Sequence, residues 1–424
     1  MKLETIALHS GYETDPTTNA ATTPIYQTTS YTFDSTQHGA DLFDLKVPGN
    51  IYSRIMNPTN AVLEQRVAEM EGGIAGLALS SGMAAITYAI QCITSVGRNI
   101  VSTSQLYGGT YNFFAHTLPQ QGVETRFASY DDFDTLESLI DDKTSAVFCE
   151  SIGNPGGNVA NLAKLAEIAH RHGVPLIVDN TVATPILCRP FEHGADIVIH
   201  SLTKYIGGHG TTIGGMIVDS GKFDWVANKE RFPMLNEPDP SYHGVVYTEA
   251  LGPAAFIGRC RVVPLRNTGS ALAAHSAFLL MQGLETLALR MERHCENAEK
   301  VANYLNNQPQ VEWVNYAGLD SSPDHETCKN VCGGKASGIL SFGIKGGAEA
   351  GGKFIDALQM ILRLVNIGDA KSLACHPAST THRQLSPEEL AKVGVSEDMV
   401  RLSVGIEHID DIIADIEQAL AAAK

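Results

Sequence analysis

The chain has no long hydrophobic run. Nowhere do apolar residues continue for the ~20 positions that a membrane span requires, and the opening MKLETIALHS lacks the apolar centre of a secretory signal. Neither a membrane nor an export role is expected, and the cytoplasm is the expected compartment. Basic residues are in the minority: 30 Lys and Arg stand against 47 Asp and Glu, for a formal net charge of -17. Such a chain offers no attraction to nucleic acid or to an anionic lipid surface. Paired cysteine motifs are missing as well. The 8 cysteines are scattered, and only Cys328 and Cys332, with His325 nearby, fall close together. A structural zinc needs four ligands, usually from two spaced pairs, so no metal is expected. There is no internal repeat.

What is present is an ordinary globular composition, 44% hydrophobic and 18% charged, in 424 residues. That length exceeds what one core usually holds, so two domains are expected. Residues 1–60 are rich in Thr, Ser and Asn, carry Pro24, Pro48 and Pro58, and show no sustained helical period. They read as an extended N-terminal arm. Over 61–272 strands and helices alternate, which predicts a large domain with a mostly parallel sheet covered on both faces. A long helical pattern beginning near Gly269 leads into a smaller α+β domain over 273–424. There Ile339 to Ile344 reads as a strand, and Ile409, Ile412, Ile413, Ile416 and Leu420 share one helix face.

Chemistry concentrates in Asp196 to Gly210, DIVIHSLTKYIGGHG. Ile197, Val198 and Ile199 are a short apolar strand, and Lys204 follows where that strand gives way to a glycine-rich turn. In open α/β sheets ligands gather at the C-terminal ends of strands. Ser201 and Thr203 add hydroxyls there, and Gly207, Gly208 and Gly210 allow backbone to approach a ligand. A lysine just past a strand is more often a solvated loop residue. The balance shifts because PLIVDN, Pro175 to Asn180, is a second buried strand ending in an acid, Asp179. An amine and a carboxylate presented to one pocket suit pyridoxal phosphate (PLP), whose aldehyde needs an amine and whose ring nitrogen needs an anion.

Other stretches fit the same pocket, each beside a plainer reading. Ser80, Ser81 and Gly82 precede a helix whose first N–H groups, at Gly82 and Met83, can bind an anion; a simple N-cap by either serine is the alternative. Tyr107 stands at a strand exit among glycines, where a ring can lie flat on a pyridine, although buried tyrosines are more often core. Asn154 ends another strand, and an Asn-Pro turn accounts for it equally well. Arg401, on a short strand near the end, is a bidentate receptor for a carboxylate or else an ordinary ion-pair partner.

SLTKYIGGHG, with VDNT upstream, resembles the Cys/Met-metabolism family of fold-type-I PLP enzymes, and the resemblance runs nearly end to end. It implies that Lys204 holds PLP, with Asp179, Ser201, Thr203, Gly82, Met83, Tyr107 and Asn154 around the cofactor. It implies that Tyr107 assists proton transfer, and that Arg401, with Asn154 and Asn366, receives the substrate. Tyr52 and Arg54 of the arm would reach the phosphate in a neighbouring subunit of a homotetramer, a dimer of dimers. Asn366 stands where lyase and synthase relatives carry serine, Gly109 where methionine lyases carry cysteine, and the stretch 219–268 resembles an insertion of the sulfhydrylase branch that would narrow the entrance. The implied reaction is γ-replacement in methionine biosynthesis: O-acetylhomoserine and sulfide give homocysteine and acetate, with methanethiol as a second acceptor. Cystathionine γ-synthase, methionine γ-lyase and a non-enzymatic anion-binding α/β protein remain as alternatives. Arg383, after HPASTTH, is left open between a second carboxylate receptor and a structural ion pair.

Overall fold

The structure is a computed structural model that describes residues 1–44, 46–383 and 385–423. Seven short strands form the large sheet: β1 (Ala75–Leu79), β2 (Asn99–Thr103), β3 (Glu124–Ala128), β4 (Thr144–Glu150), β5 (Leu176–Asp179), β6 (Ile197–Ser201) and β7 (Gly215–Asp219). Their order across the sheet is β1-β7-β6-β5-β4-β2-β3. Alternate side chains of one strand enter opposite layers. Val178 and Val198 belong to one apolar cluster, whereas Ile177 and Ile199 belong to the other. Both faces of the central strands are covered, which is why β4 to β7 are almost wholly buried and carry apolar runs. All neighbours run parallel except β7, which is antiparallel to both β6 and β1.

The helix Pro58–Glu71 shows how local signals set boundaries: the Asn57 side chain accepts from the Thr59 N–H, Pro58 takes the first turn, and Gly72 ends the helix at φ 80. Beyond the large sheet, β8 (Val311–Asn315), β9 (Ile339–Ile344), β10 (Leu362–Arg363), β11 (Leu373–Cys375) and β12 (Met399–Ser403) form a second sheet in the order β10-β11-β12-β9-β8. The final helix, Ile409–Ala422, buries Ile412, Ile416 and Leu420, as its period predicts.

Three expectations need correction. The arm is not wholly extended, because Leu3–His9 and Thr36–Phe43 are helices, the second capped by the Ser35 side chain on the His38 N–H. The linking helix is two helices, Ala274–Glu285 and Leu287–Asn306, parted at Thr286. The stretch 219–268 does not narrow the cavity described below, since none of its residues lines it. Its Trp225, Phe232 and Phe256 instead join the apolar cluster on one face of the large sheet, with the Trp225 and Phe256 rings stacked at 5.7 Å.

Candidate active site

Three parallel strands end side by side at one cavity of about 550 Å³. Glu150 at the end of β4 lies in register with Asp179 of β5, and Asp179 in turn with Ile199 of β6, so both carboxyl groups and the Lys204 turn reach the same edge. Ser81, Gly82, Met83, Tyr107, Asn154, Ser201, Thr203 and Lys204 line the cavity, as do Asn366 and Arg401 from the C-terminal part. Of the twelve expected site residues only Tyr52 and Arg54 fall outside the lining. The Arg54 guanidinium lies over the Tyr52 ring, 5.4 Å from its centroid, and donates to the Arg266 backbone oxygen.

The lysine and the arginine are joined through one asparagine. Lys204 Nζ donates to Asn366 Oδ1 at 2.6 Å, and Arg401 Nη2 donates to the Asn366 backbone oxygen at 2.9 Å. Arg401 Nη1 donates to Asn154 Oδ1 at 3.1 Å. Burial, with the Arg401 charge adding to it, pushes the Lys204 amine down to about 8. Asp179 Oδ1 accepts from both the N–H and the hydroxyl of Thr181, at 3.0 and 2.5 Å. Burial still raises the Asp179 carboxyl above the ordinary carboxylate range, the Thr181 bonds and the His200 charge acting against it.

The glycine turn before the helix Gly82–Ile93 is held by the Ser81 side chain, which accepts from the Ala84 N–H. A Cβ at Gly82 would meet Ser201 Cβ at 2.7 Å, so only glycine brings this helix N-terminus against the end of β6. The Thr203 hydroxyl is engaged elsewhere, accepting from the Gly214 N–H at 3.1 Å. The Tyr107 ring lies over Gly109, whose added Cβ would sit 2.6 Å from Tyr107 Cε1. Arg383 is exposed and does not line the cavity. Among the described residues no group of three or more His, Cys, Asp or Glu is arranged to hold a metal ion, and Cys328 and Cys332 are buried free thiols.

The model of the family described as "Cys/Met metabolism PLP-dependent enzyme" matches residues 4–421. The chain belongs to that family. A homocysteine synthase of Schizosaccharomyces pombe is 53% identical over 421 residues, with 99% of this chain and 98% of the relative covered. The O-acetyl-L-homoserine sulfhydrylase 1 of Thermus thermophilus is 52% identical over 423 residues, 99% and 100% covered. Among solved structures, a provisionally assigned O-acetylhomoserine (thiol)-lyase from Campylobacter jejuni, determined with N'-pyridoxyl-lysine-5'-monophosphate, superposes with a TM-score of 0.97 at 45% identity, covering 99% and 100% of the two chains. The fold is thus that of fold-type-I PLP enzymes, and this chain is one.

The site fits the cofactor of the Cys/Met-metabolism family on its own chemistry. It places a partly neutral amine, a buried carboxyl group and a helix N-terminus around one cavity. The buried Nε of Arg401 has no hydrogen-bond partner among the described residues, which suits a carboxylate ligand. Sequence reasoning missed Thr181 and Glu150. Each carried a signal: a hydroxyl two residues past the acid of β5, and a second acid at the end of the adjacent strand.

Proposed function

We propose that this enzyme exchanges the acetate of O-acetylhomoserine for sulfide, breaking the γ C–O bond and forming a C–S bond to give homocysteine. The names of the relatives support that substrate. The observation that carries the choice of nucleophile is the cation count of the cavity. Apart from Lys204, Arg401 is the one cationic side chain among the described lining residues. The α-carboxylate of the amino-acid substrate occupies it, so a cysteine acceptor, bringing a second carboxylate, finds no partner, whereas sulfide needs none.

Bound PLP supplies an aldehyde that takes the substrate amino group and a ring that accepts the electrons released at Cα. The first N–H groups of the helix at Gly82 and Met83, with the Ser201 hydroxyl, hold the phosphate. Asp179 holds a proton on the ring nitrogen, whose positive charge would lower the Asp179 carboxyl again. The Tyr107 ring covers the cofactor face. Lys204 Nζ takes the Cα proton, and it is the group placed to return a proton when the product forms. Asn154 and Asn366 keep the Arg401 guanidinium and the Lys204 amine in a fixed relation through the bonds given above. Tyr52 and Arg54 complete the phosphate site of a neighbouring subunit, in a dimer of dimers in the cytoplasm; methanethiol serves as a second acceptor.

The glycine at 109 speaks against a methionine lyase, because a cysteine there would displace the Tyr107 ring. Competition between sulfide and cysteine for O-acetylhomoserine tests the proposal directly. Homocysteine is the expected main product; cystathionine as the main product would move the assignment to a cystathionine γ-synthase.

A further inference from the structure

Glu150 is an acid in a place where an acid has no obvious use. It is 5% exposed, it lies beside Asp179 on the adjacent strand, and no cation pairs with it among the described residues. Its two oxygens are nevertheless both occupied: Oε1 accepts from the Tyr107 backbone N–H at 2.6 Å and Oε2 from the Asn154 backbone N–H at 3.2 Å. These amides belong to separate loops, 43 and 4 residues away from Glu150 in sequence. One carries the ring that lies over the cavity, and the other carries the amide that touches Arg401.

We propose that Glu150 is a positioning residue: one carboxyl group, held at both oxygens, sets the spacing between the Tyr107 ring and the Asn154 side chain, and through Asn154 the aim of Arg401. A neutral hydrophobic residue on this strand would leave two N–H groups, a part-buried one at Tyr107 and a buried one at Asn154, without these acceptors. Glutamine offers one oxygen and turns an NH2 group toward the other N–H, so it can keep only one of the two bonds. Burial, with the charge of Asp179 adding to it, holds the Glu150 carboxyl well above the ordinary range.

The inference rests on the reading of the centre given above. Its first readout needs no substrate, so it stays legible if O-acetylhomoserine proves to be the wrong one. In E150Q holoenzyme, PLP is expected to remain bound at one per chain and attached to Lys204, while its visible circular dichroism band changes because the aromatic cover has moved. With substrate, kcat is expected to fall by about tenfold to a hundredfold and KM for the amino-acid substrate to rise, with KM for sulfide unchanged. E150D keeps both acceptor oxygens and is expected to recover part of the loss. E150Q combined with Tyr107→Phe is expected to cost less than the product of the single effects, because both act through one ring. Unchanged dichroism and kcat in E150Q, strictly multiplicative effects in the double variant, or loss of PLP from a folded E150Q would each overturn the proposal. Should both Glu150 variants fail to fold, hydrogen exchange in the wild-type protein decides: slow exchange at the Tyr107 and Asn154 amides supports the shared anchor, and exchange as fast as in exposed loops overturns it.

Discussion

In the proposed reading, a single amine and its neighbours govern how the cofactor is acquired. The neutral form of Lys204 is the one that attacks an aldehyde, and its fraction rises with pH until the group titrates at about 8. Attachment of PLP to apoenzyme is therefore expected to accelerate about tenfold per pH unit below 8 and to level off above it, which stopped-flow absorbance measures. Asn366→Asp puts a carboxylate where Asn366 Oδ1 now accepts from Lys204 at 2.6 Å. It favours the ammonium, so the midpoint should move upward and attachment at neutral pH should slow; an unmoved midpoint would show that residue 366 does not tune the amine. In Lys204→Ala, borohydride reduction should leave no adduct on any lysine, although some PLP stays bound through its phosphate. Mass spectrometry locating an adduct on another lysine refutes the assignment.

At the scale of elements, the large sheet and the phosphate turn meet at a glycine. Gly215, the first residue of β7, faces Ser81 so closely that an added Cβ would lie 1.9 Å from the Ser81 backbone oxygen. Gly215→Ala must shift either β7 or the turn before the helix Gly82–Ile93. It is expected to destabilise the protein by about 1–3 kcal/mol and to weaken PLP binding, as fluorescence titration of apoenzyme would show. Gly352→Ala is the matched control, since that helical position has nothing within 4 Å; it should leave PLP affinity alone and raise stability by up to about 1 kcal/mol. Equal PLP affinities in the two variants would disprove the coupling. The ends of β4, β5 and β6 are legible in the sequence because each holds a short apolar run that stops at a polar residue, which places Asp179, Asn154 and Lys204 on one edge. The bond between Lys204 and Asn366 spans 162 residues, and no local pattern encodes it. The break at Thr286 was hidden for a related reason, since apolar spacing continues through it while the chain turns.

Seen whole, the chain carries apolar side chains that its own fold leaves in solvent. Ile25, Tyr26, Phe33, Phe43, Val47 and Tyr52 of the first 60 residues are all exposed, which is the character of a surface that another subunit covers. If Arg54 serves a neighbour's phosphate site, then Arg54→Ala and Lys204→Ala proteins, each impaired alone, should regain activity when unfolded together and refolded as mixed oligomers. A mixture no more active than its components would confine each site to one chain. Sedimentation at assay concentration should likewise show nothing smaller than a dimer among the active species.

The antiparallel return of β7 beside β6 bears on the order in which this protein matures on the ribosome. Ser201 pairs with Gly215, so the lysine sits in a hairpin that closes by short-range contact and has a low loop-closure cost. The residues proposed for the phosphate and the ring nitrogen, and the lysine itself, have all been translated once β7 emerges. Arg401 and Asn366 arrive far later. The nascent chain thus presents the residues for the vitamin-derived group before those that select the amino acid; the helix whose Arg290 donates to the backbone oxygens of Tyr205 and Ile206 beside the lysine follows β7, so a released fragment ending after Asn306 should retain PLP in pull-down while binding no substrate.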